Sequence, residues 1–114
     1  MDLLKDTQPI AAAVFQGHWA CVYAEQGHFT RANQLLDNAD KVLQAASPPH
    51  YGRALCRRAF VQWRQGRPDD ARATLQAARQ LAETLNLPAH TPLRRELEET
   101  ANILAASQGD EETG

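Results

Sequence analysis

The residues of this 114-residue chain able to do catalytic or metal chemistry are four histidines, two cysteines and a cluster of glutamates. A zinc site needs ligands at set intervals, such as two histidines one helical turn apart or a Cys-x-x-Cys pair. His18, His28, His50 and His90 fall instead on a helix, a turn, a helix start and a linker, and no such pair forms. A cysteine nucleophile needs an oriented base, and nothing near Cys21 or Cys56 in the sequence supplies one. Glu96, Glu98 and Glu99 sit beside Arg94 and Arg95 and read as a solvated helix face. Gly66 has no lysine after it, so there is no phosphate loop. The expectation is a protein that is not an enzyme, with no cofactor and no metal.

What the chain does carry is a recognition pattern. Arg53, Cys56, Arg57, Phe60, Trp63 and Arg64 recur at spacings of three and four, which puts them on one face of a helix. Arginine and tryptophan are frequent hot spots of protein interfaces. This ridge would suit a peptide or helix that offers carboxylates and an aromatic or aliphatic anchor. Each of these residues also has a plainer use. Trp63 can pack on the fifth helix, and Arg57 and Arg58 can pair with Glu96, Glu98 or Asp70.

The rest of the composition narrows the class. Ten of the twelve basic residues are arginine, and the net charge is −2, which gives no global pull toward nucleic acid or anionic lipid. Alanine dominates the apolar content while β-branched residues are sparse, which suits close helix packing and argues against a sheet. No apolar run approaches the roughly 18 residues of a membrane span. The two cysteines lack the spacing of a disulfide framework, so the expected setting is a reduced cytoplasm.

Five helices must position the ridge. The first is expected over about Gln8 to Gln26, capped by Thr7 with Pro9 in its first turn, and ended by Gly27. The second covers about Phe29 to Ala46 and stops at Ser47-Pro48-Pro49, which also starts the third. Gly66 ends the third at about Gln65, and Pro68-Asp69-Asp70 opens a fourth that runs to about Asn86. After the linker Leu87 to His90, Thr91 caps a fifth helix carrying Leu93, Leu97, Ala101 and Leu104 or Ala105 on one face. Residues 1–106 form one domain in this reading, and 107–114 an acidic disordered tail.

Gly27 and Gly66 lie 39 residues apart, and sliding one onto the other aligns identical residues. Ala20, Val22, Gln26, Ala32, Leu36 and Ala39 fall on Ala59, Val61, Gln65, Ala71, Leu75 and Ala78. Such a period marks a helical-hairpin solenoid. Gly66 to Ala71, followed by Leu75 and Ala78, resembles the second half of a tetratricopeptide repeat. Gly27, Phe29, Ala32, Leu36 and Ala39, with Ala20 and Tyr23 before them, resemble another. The resemblance implies an all-α, right-handed helical-hairpin solenoid of two repeats plus a C-terminal capping helix, five helices in all. The spacing of 39 exceeds the roughly 34 residues of a standard repeat. This longer form is similar to the sensor repeats of bacterial maltose-regulator-type activators. Gln62 and Arg58 stand where the first repeat has Tyr23 and Trp19, two residues whose family positions face the paired helix and imply core.

The resemblance also implies a concave groove lined by the first helix of each hairpin. Its partner-binding residues would be Arg53, Arg57, Phe60, Trp63, Arg64 and, on the fifth helix, Arg95, with Glu99 and Asn102 beside it. Val14, Gly17, Cys21, Ala24 and Glu25 would form a shallow floor on the first helix. Gly17 and Cys21 replace the lysine and asparagine of the chaperone-type carboxylate clamp, so that clamp is absent. The leading expectation is therefore a non-catalytic protein–protein interaction module that binds a peptide or helix segment in this groove. Alternatives are a regulatory or sensor piece of a larger bacterial protein, or a self-associating module. The latter would be a homodimer that buries Ile10, Val14 and Phe15, or Leu97 and Leu104. Nucleic-acid binding through Arg53, Arg57, Arg58, Arg64 and Arg67 ranks last and would show as strong salt dependence.

Overall fold

A computed structural model describes the backbone of residues 2–113 and the side chains of residues 9–106. The expected cap Thr7 and the expected acidic tail 107–114 lie outside the residues whose side chains are described. The chain is all-α, with helices α1 (Asp2–Glu25), α2 (Phe29–Ala46), α3 (Pro48–Arg64), α4 (Pro68–Thr84) and α5 (Pro92–Thr113). α1 begins earlier than expected, so Pro9 sits inside it and removes one hydrogen bond from the ladder.

The helix ends follow from backbone chemistry. Gly27 and Gly66 both adopt φ +84°, the left-handed conformation that costs an L side chain energy. In each case two amides turn back to cap the last carbonyls: His28 N–H donates to Tyr23 O at 2.8 Å and Gly27 N–H to Ala24 O at 3.1 Å. Arg67 and Gly66 repeat the pair on Gln62 O and Trp63 O at 2.9 and 3.1 Å. Asn86, at φ +56°, forms a third cap of the same kind, with Leu87 N–H on Ala82 O at 3.2 Å. The sequence reading passed over Asn86, although asparagine is the residue after glycine that best tolerates this region. Thr91 stands at the N-cap position of α5 as expected, its carbonyl accepting from Arg95 N–H at 3.0 Å, while its hydroxyl donates to Pro88 O at 2.9 Å and closes the α4–α5 loop.

α1 pairs with α2 and α3 with α4 as two hairpins, and α3 and α5 each dock on both helices of the hairpin before them. That is the packing of a helical-hairpin solenoid, here 56 × 33 × 18 Å in extent. The core is built from small residues, which let the helices approach closely. Ala20, Ala24, Ala32 and Leu36 bury with Val61 where the hairpins meet, and Ala13, Ala39, Leu43 and Ala54 bury beside them. A third cluster joins Cys56, Ala59, Ala71, Leu75, Ala78 and Ala82 to Leu93, Leu97 and Leu104 of α5. Every alanine and leucine of the aligned repeat is in this core: Ala20, Ala32, Leu36 and Ala39, and their counterparts Ala59, Ala71, Leu75 and Ala78.

Trp19 departs from expectation. It is 53% exposed, while Tyr23 packs on the first-hairpin core as expected. Position in the stack explains the difference. At the equivalent point of α3, Arg58 lies against α2 and pairs with Asp37 and Asp40 at 2.9 and 2.8 Å. α1 has no described hairpin before it to receive Trp19.

Candidate functional site

The first helices α1, α3 and α5 line one groove of about 370 Å3. α1 contributes His18, Cys21 and Glu25, and α3 contributes Arg53, Cys56, Arg57 and Phe60. α5 supplies Glu96, Glu99, Thr100 and Ile103. Each set steps by three and four residues, so each is one stripe of its helix.

Arg53, Arg57 and Phe60 therefore stand where the sequence put them. Trp63 does not line the groove. It packs half-buried on the α3–α4–α5 core with its ring 5.9 Å from that of Phe60, so it supports the groove wall from behind. Arg64 lies at the end of the stripe and donates to Glu25 O at 3.2 Å, at the carbonyl terminus of α1 where a cation is favoured. Arg95 is exposed and points away from the lining, and Asn102 belongs to a different cleft between α4 and α5. The α4–α5 loop resets the register of α5. The groove position falls on Glu96, the next residue along, and one residue is about 100° of helix.

Glu96 changes the charge of the site. Arg53 Nε donates to Glu96 Oε1 at 2.9 Å, and Arg57 Nε lies 3.5 Å from Glu96 Oε2. One carboxylate thus engages two of the three arginines of the ridge that was expected to attract acidic partners. Glu25 and Glu99 add two exposed carboxylates at the rim. The spacing of Glu96, Glu99, Thr100 and Ile103 was the signal available in the sequence, masked there by the neighbouring arginines.

Arg57 is the residue that remains unsettled chemically. Its side chain is 5% exposed and lies over Gly17, where a Cβ would come within 3.0 Å of Arg57 Cδ. Glycine at 17 is what lets the arginine cross the groove floor. Among the described residues its guanidinium makes no hydrogen bond and has only the 3.5 Å ion contact. The donors that Glu96 does not engage open onto the groove, within reach of an acceptor brought by a ligand.

The thiols and imidazoles around it are quiet. Burial pushes Cys21 up to about 11 and Cys56 up to about 12, leaving both protonated and unreactive. His18 is held below the ordinary imidazole value by burial and then by the Arg57 charge. No three His, Cys, Asp or Glu side chains gather as metal ligands among the described residues. Of the five arginines named for nucleic acid, three are paired, Arg53 with Glu96, Arg58 with Asp37 and Asp40, and Arg67 with Asp70, while Arg64 donates to a backbone carbonyl. No described helix is long and apolar enough to cross a membrane. No protein-family model, curated protein or solved structure matches this chain, which leaves the groove's own geometry as the guide to function.

Proposed function

We propose that this protein is a non-catalytic interaction module of tetratricopeptide-like type that holds a peptide or helical segment in the α1–α3–α5 groove. The observation that carries this is Arg57, whose side chain lines an open groove and, among the described residues, meets only the Glu96 carboxylate at 3.5 Å. A peptide carbonyl or carboxylate would take its donors. An aliphatic or aromatic side chain of the same segment would lie on Phe60, Cys21 and Ile103, and a basic residue beside it would meet Glu25 or Glu99. The preferred ligand is thus an apolar anchor with a cationic flank, rather than the acidic segment the arginine ridge alone suggested. As part of the same proposal the module works in the cytoplasm, where its two free thiols stay reduced.

Selection from a displayed random-peptide library tests this. Enriched peptides should share an apolar anchor next to lysine or arginine. They should lose binding to Ile103→Asp and Arg57→Met proteins of unchanged helicity. Peptides that bind all three proteins alike, or no enrichment at all, would overturn the groove assignment.

A further inference from the structure

Each first helix of the stack has a second stripe, facing the hairpin before it. In α3 this stripe is Ala54, Arg58 and Val61, and Ala54 and Val61 are fully buried against the first hairpin. In α5 it is Leu97, Ala101 and Leu104, all packed on the core of the second. The corresponding residues of α1 are Phe15, Trp19 and Val22, and they are 66%, 53% and 40% exposed. Val22 and Val61 make the comparison cleanest, since they are the same residue at the same repeat position. One is 40% exposed and the other 0%.

This stripe is neither small nor polar, as an end designed for solvent would be. It holds three of the four large apolar side chains exposed among the described residues, and a shallow groove beside it runs over Tyr23 and Leu35 and is lined also by Gln16 and Arg31. Apolar patches of this kind on a soluble surface mark contacts. What covers it must also differ from what covers α3. Arg58 needs the carboxylates of α2, whereas Trp19 needs apolar atoms in the same place.

The opposite end of the stack is a poorer match. Its outer cleft between α4 and α5 mixes the apolar Leu87, Ala89, Leu97 and Ala101 with Arg79, Arg94, Glu98 and Asn102. Head-to-tail stacking would set charge on the aromatic stripe at every joint. The stripe itself is the better match, because a second copy sets apolar side chains against apolar side chains. We infer that two copies of the chain associate about a two-fold axis, α1 against α1, with Phe15, Trp19 and Val22 of each packed on those of the other. Leu97 and Leu104, the other interface read from the sequence, are already buried within the chain. The inference does not depend on the groove reading, because the stripe and the groove are separate faces of α1.

Sedimentation velocity over a concentration series tests it, on the native chain and on Phe15→Asp, Trp19→Glu and Ile103→Asp variants. The native chain should dimerise, and the first two variants should be monomers of native helicity while Ile103→Asp still dimerises. An aromatic hot spot is worth on the order of 30-fold in affinity. A two-fold interface holds it twice, so Trp19→Glu should weaken dimerisation on the order of 1,000-fold. A Trp63→Phe protein leaves Trp19 as the lone indole, and its emission should shift to the blue as the dimer forms. A native chain still monomeric at about 1 mM would overturn the inference. Open-ended polymers, a dimer that survives both substitutions, or a Trp19 emission that ignores concentration would do the same.

Discussion

Replacing Gly52 with alanine would put a methyl carbon 2.7 Å from Cδ2 and 3.0 Å from Cδ1 of Leu93, with Leu81 Cδ2 at 3.4 Å. Packed carbons rest about 3.5–4.0 Å apart, so Leu93 would have to yield by roughly 1 Å. It has little room, being 1% exposed in the cluster that ties α5 to α3 and α4. Overpacking of this kind costs about 1–3 kcal/mol, while alanine gains about 1 kcal/mol over glycine inside a helix. The net expectation for Gly52→Ala is a loss of about 0–2 kcal/mol. Leu93→Ala alone should cost about 2–5 kcal/mol as a buried leucine truncation. With both Leu93 Cδ atoms gone the clash goes too, and Gly52→Ala should then stabilise by about 1 kcal/mol. The two substitutions should therefore couple by about 1–3 kcal/mol, the whole of the overpacking energy. Urea unfolding of the four proteins, followed by far-UV circular dichroism, measures that coupling. An alanine at 52 that stabilises both backgrounds alike, with coupling below about 0.5 kcal/mol, would refute the close α3–α5 approach.

Arg58→Ala should cost about 1–3 kcal/mol, because it strands the half-buried Asp40 carboxylate, whose Oδ1 already lacks a partner. Burial raises Asp40 against the pull of Arg58, so adding Asp40→Asn should recover much of the loss in the same urea assay. His18 and His50 are both held below 6.5 by burial and then by nearby arginine charge. The unfolded chain takes up these protons first as pH falls, so stability should be full above about pH 7.5, decline through the ordinary imidazole range and level off below the folded values. Thermal melts of a His18→Gln/His50→Gln protein should show a flatter profile over that window; an unchanged slope would refute the assignment. With thiols at about 11 and about 12 against an ordinary 9.0, Cys21 and Cys56 should hold about 100-fold and 1,000-fold less thiolate than a free cysteine. Iodoacetamide labelling should be correspondingly slow in the folded protein and fast in urea.

The candidate site was legible where it depended on helical spacing alone. Arg53, Arg57 and Phe60 share a stripe because three and four residues bring side chains back to one face, and Cys21 and Glu25 do the same on α1. It was not legible where it depended on how helices meet. Arg95 and Glu96 are adjacent in sequence and both charged, and the docking angle of α5 alone puts Glu96 between two arginines and Arg95 in solvent. Trp63 and Phe60 fit the same periodic pattern, yet one supports the wall that the other forms.

By itself the sequence determined what is local: alanine and leucine at helical intervals, and glycine where a helix must end in a left-handed turn. Those signals act within a few residues along the chain, so the five helices and the residues of each hairpin core could be read directly. The fate of Val22 and Val61 could not be read that way. They are the same residue with the same repeat environment, and only the tertiary structure buries one and leaves the other open. The physical reason is that burial and charge pairing belong to a residue's neighbours rather than to the residue. Those neighbours are set by where a hairpin stands in the stack.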